Sequence, residues 1–82
     1  MNADAIKRHI DAAVEFAKTR YVSARGQLNQ FEREIRPAIR DMVRWERLSK
    51  EDEKDVIAHL EEVRTRIQIE ADSESAASRG GH

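Results

Sequence analysis

Apolar residues recur through the first half of the chain at Ile6, Ile10, Ala13, Ala17, Tyr21, Ala24, Leu28, Phe31, Ile35, Ile39 and Met42, always three or four positions apart. This is the period of an α-helix, and it excludes strands over the same span, because strands alternate with period two. When each residue is turned by about 100° from Ile6, all of these positions fall in a wedge of roughly 80°. A loop normally resets such a phase. The unbroken phase therefore favours one helix from Ala3 to Arg47, about 65 Å long at about 1.5 Å per residue.

Two residues oppose that reading. Gly26 costs about 1 kcal/mol in a helix interior, and Pro37 about 3 kcal/mol, because it removes a donor and collides with the carbonyl of Arg33. Pro37 sits on the outer side of the wheel, where a curving helix accepts a kink with least loss. In the competing reading the first helix ends at Arg25 with Gly26 as its cap, and a second starts at Asn29, with Asn29 and Glu32 forming a capping box. That alternative gives a self-contained three-helix bundle.

Leu48 and Ser49 form a turn. Ser49 is a good N-cap, and Glu51, Asp52 and Glu53 place favourable negative charge in the first turn of the next helix. This return helix is expected over residues 50–71, with Val56, Leu60, Val63 and Ile67 as a packing seam and Ile57 at its edge. Beyond it "DSESAASRGGH" is small, polar and ends in glycine, so residues 1–71 read as a helical domain and 72–82 as a disordered tail. Under the long-helix reading, the return helix covers only the half of its partner that contains Leu28 to Met42. Ile6, Ile10, Val14 and Tyr21 stay bare, and the simplest cover is a second copy in a two-fold homodimer, a four-helix arrangement.

Size sharpens the point. Eighty-two residues make one domain of marginal stability, and with no cysteine there is neither a disulfide framework nor a thiolate metal site to reinforce it. Charged residues make up 38% of the chain and aromatics 5%, which suits solvent-exposed helices. No apolar run approaches the roughly 20 residues of a membrane span and no secretory leader opens the chain, so a soluble cytoplasmic protein is expected. The net charge of −1 hides an asymmetry. Residues 1–47 hold ten Lys or Arg against seven Asp or Glu, and residues 48–82 hold five against nine, so the halves should attract.

The candidate binding feature is an arginine row, Arg33, Arg36, Arg40, Arg44 and Arg47, stepping by three, four, four and three. On an ideal helix the row covers an arc of roughly 80° on the face away from the apolar wedge. Arginines so spaced grip carboxylates or phosphates with a bidentate fork that lysine lacks. The plain alternative is a solvated face, partly neutralised by Glu32 and by Glu51, Asp55 and Glu62 of the return helix. Trp45 and Met42 lie near the end of the row, a composition found at interface centres, although a cap on the core, packed on Val56 or Leu48, suits Trp45 better.

Catalysis has little to work with. There is no glycine-rich phosphate loop, no cysteine nucleophile and no serine-histidine-acid set. Asp55, His59 and Glu62 have metal-like spacing, but they lie beside the seam, and the Glu-x-x-His order of dimetal bundles is missing. No catalytic residue, metal or cofactor is expected, and His82 on its Gly-Gly tail is read as incidental. The expected function is that of a small regulator, inhibitor or assembly adaptor docking its arginine face, with Trp45, onto an acidic protein surface. Nucleic-acid binding through the same row is the alternative, weakened by a pI near 6.3. A structural subunit of a larger assembly is the third reading.

Overall fold

The computed structural model describes the backbone of residues 2–80 and the side chains of residues 2–77. Gly81 and His82 lie outside the described residues. Among the described residues there are helices and no strand. Helix α1 spans Ala3–Arg20, and its first turn is capped by the Asn2 side chain, which accepts from the Ala5 amide at 2.8 Å. Helix α2 (Ala24–Gln30), a π-helical turn (Phe31–Ile35) and α3 (Arg36–Glu46) run on without a break as a middle rod. Helix α4 (Lys50–Gly80) returns along both.

Cross-helix bonds fix the directions. Lys7 pairs with Asp55 and Asp11 with His59, so α1 and α4 run parallel. Arg36 pairs with Glu61 and Glu32 with Arg64, so the middle rod runs antiparallel to α4. The result is an up-down-up three-helix bundle whose core combines Ile6, Ile10, Phe31, Ile39, Val56 and Leu60, among others.

The single helix from Ala3 to Arg47 is therefore not formed, and the break is not at Gly26 either. Helix α1 stops at Tyr21, which is extended (φ −122°, ψ 118°), and α2 starts after Ser23, whose hydroxyl accepts from the Gly26 amide at 3.0 Å. Gly26 lies inside α2, not at a helix end. A side chain there would meet the Tyr21 Cβ and the Ser23 Oγ at 3.2 Å, so the glycine lets the turn fold close against the helix. Gln27, the one buried polar residue among the described residues, donates to the Tyr21 carbonyl at 3.1 Å and holds the turn from the other side.

Magnitudes explain the choice. Breaking a helix forfeits a few backbone hydrogen bonds, each worth about 1 kcal/mol net. Folding back buries Ile6, Ile10 and Val14, each worth roughly 1.5–3 kcal/mol. Ile6 and Ile10 are 0% exposed and Val14 is buried as well, while Tyr21 is half-buried with its hydroxyl donating to Gln30. These residues, expected to form a dimer interface, are covered by the chain itself, and the argument for a homodimer falls with them.

The π-turn answers the proline. Phe31, Ile35, Ile39 and Val43 are all buried and are spaced by four, a series that drifts about 40° per step on an α-helix. A π-turn takes up about one extra residue, so the series stays on one face. Its i to i+5 bond, Arg36 amide to Phe31 carbonyl, also widens the helix just before Pro37, where an ordinary turn would press the ring on the Arg33 carbonyl. Val43 thus enters the core and Met42 moves to its edge, opposite to the expectation from an unbroken wheel.

At the far end Arg47 adopts the left-handed conformation (φ 50°, ψ 51°), and Ser49 caps α4 by accepting from the Asp52 amide at 3.1 Å, as its sequence position predicts. Helix α4 does not stop at Ala71. The stretch read as a disordered tail is helical as far as Gly80, because Ala71 is buried and Glu74 has a tertiary partner: both its carboxylate oxygens accept from the Ala24 amide at 2.9 Å.

Candidate functional site

The arginine row does not survive as one surface. Arg36 is engaged inside the bundle: it donates to both carboxylate oxygens of Glu61 at 2.8 and 3.0 Å, contacts Glu32 at 3.3 Å, and lies over the Phe31 ring at 5.9 Å. It is a clamp between the middle rod and α4. Of the expected neutralising partners Glu32 does reach Arg36, joined by Glu61 of the return helix, whereas Asp55 goes to Lys7 and Glu62 to Arg66. Arg33, within the π-turn, is exposed on its own.

Arg40, Arg44 and Arg47 do come together. With Val43, Leu48, Glu53 and Ile57 they line a cleft of about 510 Å³ between α3 and the start of α4. The π-turn is the cause. By rotating α3 about one residue's worth, roughly 100°, it brings Val43 inward and swings these arginines from the outer face toward α4. All three are exposed, and among the described residues none makes an ion pair. Three guanidinium groups against the Glu53 carboxylate leave the cleft with a formal charge of +2, above a floor of Val43, Leu48 and Ile57. The lining thus combines guanidinium groups, which complement an anionic group, with an apolar floor.

Trp45 is not part of it. Two positions on from the buried Val43, it lies about 200° around the helix, and it is 82% exposed. The expected pairing of Trp45 with the arginine row is therefore absent, and so is its expected cap on the core. Phe16, Val22 and Ile69 are the other large exposed apolar residues among the described residues.

The histidine-carboxylate spacing on α4 is spent on packing. His59 Nε2 lies 2.7 Å from Asp11 Oδ1 on α1, while Asp55 and Glu62 face other partners. Among the described residues no cluster of His, Asp or Glu is arranged to hold a metal ion. Lys7, between Asp4 and Asp55, has its pKa held above the usual 10.5 mainly by the hydrogen bond to Asp55. Val43, Leu48, Glu53 and Ile57 are the cleft residues that sequence reasoning missed as site residues; only the pairing of α3 with α4 brings Glu53 and Ile57 beside the arginines.

The class defined here is an all-helical three-helix bundle with a basic cleft at the end where α3 turns into α4. No family model matches the chain, and no curated protein and no solved structure matches it. No helix among the described residues is long and apolar enough to cross a membrane.

Proposed function

We propose that the protein is a non-catalytic binding module, a regulator, inhibitor or assembly adaptor, that docks onto an acidic protein surface through Arg40, Arg44 and Arg47. The observation that carries this reading is the set of three arginines, without ion pairs among the described residues, converging on one cleft while Arg36 and Arg64 are tied into internal pairs. Cations required only for the fold have partners within it. Exposed arginines over an apolar floor match the composition of interface centres.

Charge reversal tests the reading. Arg40→Glu combined with Arg44→Glu should abolish retention of the protein on immobilised poly-glutamate while leaving its circular dichroism spectrum unchanged. Unchanged retention would sink the proposal. Tighter retention on duplex DNA than on poly-glutamate, with a log-log salt slope near the number of phosphates contacted, would hand the site to nucleic acid instead.

A further inference from the structure

The arginine cleft has a neighbour. A second hollow of about 540 Å³ lies on the first turns of α4, lined by Lys50, Glu53, Lys54, Ile57 and Ala58. Glu53 and Ile57 line both hollows. The two therefore adjoin at Glu53 and Ile57 and together make one open, shallow groove over α4. Its arginine edge is Arg40, Arg44 and Arg47, and its lysine edge is Lys50 and Lys54. Neither lysine makes an ion pair among the described residues, and both are exposed. The floor runs from Val43 and Leu48 through Ile57 to Ala58.

Resting on the docking reading above, we infer that this groove takes a single short acidic segment of the partner. That segment carries one aliphatic or aromatic side chain seated over Ile57, with carboxylates on both sides of it reaching the arginine edge and the lysine edge. Charge complementarity supports this occupant, since five cations face one carboxylate. The position of that carboxylate supports it further. Glu53 stands on the floor between the two edges, and Glu51 and Asp52 follow Lys50 on the same first turn. A nucleic-acid strand carries phosphates at every step and would have to lay some of them against these carboxylates. An acidic peptide carries its charges on separate side chains and can set an apolar one at the centre, where the floor is. Arginine suits the carboxylates that must be held in a fixed direction, and lysine serves as a looser point charge on the other edge.

The test uses the whole chain and a fluorescein-labelled peptide of about a dozen residues, with one central leucine flanked on both sides by glutamates, followed by anisotropy at about 150 mM salt. A second peptide has that leucine replaced by serine, and a single-stranded DNA of the same length serves as a third probe. The leucine peptide should bind saturably and the serine peptide about tenfold more weakly. Arg44→Glu and the double variant Lys50→Glu with Lys54→Glu should each weaken the leucine peptide about tenfold. Because Lys50, Lys54 and Arg44 are all exposed, these variants keep the fold, and thermal melts confirm it. If the arginine variant loses binding while the lysine variant and the serine peptide match their controls, the continuous groove is overturned and the docking reading stands. If neither variant changes binding, or no peptide binds, both fall. If the DNA binds more tightly than either peptide, the partner chemistry is wrong.

Discussion

Side chains of one type have separate fates in this protein, and partners decide which. Arg36 and Arg44 are both arginines in the row, yet Arg36 Nη2 donates to both carboxylate oxygens of Glu61, and among the described residues Arg44 makes no ion pair. Arg36→Ala should lower stability by about 1–2 kcal/mol, since it strips a charge-assisted pair and leaves Glu61 and Glu32 with less compensation, whereas Arg44→Ala should stay within about 0.5 kcal/mol. Equal midpoints for the two variants in urea denaturation would contradict the clamp. Arg47 has a different use of its backbone. At φ 50° a non-glycine residue is strained, so Arg47→Gly should raise stability by up to about 1 kcal/mol while weakening anion binding, a separation that thermal melts and peptide titration resolve together. Lys7 supplies a pH signature. Its pKa is raised, chiefly by Asp55, so its contribution is fully present below the ordinary 10.5 and disappears as pH rises through the higher folded value. The stability difference between the wild type and Lys7→Met should therefore vanish in strongly alkaline buffer and persist at neutral pH.

At the level of the helices, the π-turn is the feature with most consequence. It behaves as one extra residue that rephases α3 against the core. Deleting Glu34, which is exposed within the turn, together with Pro37→Ala should close it to an ordinary α-helix and keep Ile35, Ile39 and Val43 facing inward. Stability should be retained within about 1 kcal/mol. Deleting Asp41, equally exposed but beyond the turn, should throw Val43 out of the core and cost several kcal/mol. Similar melting temperatures for the two deletions would show that the turn does not set the register. The extension of α4 has its own cause: Glu74 caps α2 from 50 residues away, giving the last turns a tertiary contact that composition does not register.

For the whole molecule, the bundle closes on itself. With Ile6, Ile10 and Val14 inside, the 82-residue chain is expected to give a light-scattering mass near 9.5 kDa, and a mass of twice that would call for an interface elsewhere. The charge asymmetry between the halves is realised only in part. Lys7 to Asp55 and Arg36 to Glu61 run from the basic half to the acidic one, but Glu32 to Arg64 runs the other way. Net charge sets the average attraction, and register sets the actual pairs.

The sequence by itself determined that the chain is helical, which residues carry the core seam of α4, and where α4 begins, because helical period, the Ser49 cap and the acid-rich first turn are local properties that neighbouring residues enforce. It also offered the three-helix bundle, though with the break at the wrong place, since the three-residue turn at Tyr21 to Ser23 leaves the apolar phase intact and nothing in the periodicity marks a reversal. Only the tertiary structure decided that α1 folds back, because burying Ile6 and Ile10 outweighs a few helical hydrogen bonds. The π-turn likewise answers to the core, which must hold Phe31, Ile35, Ile39 and Val43 on one face. The arginine cleft follows from that rotation: Arg40, Arg44 and Arg47 meet Glu53 and Ile57 because α3 packs beside α4, a contact between residues that no local pattern joins.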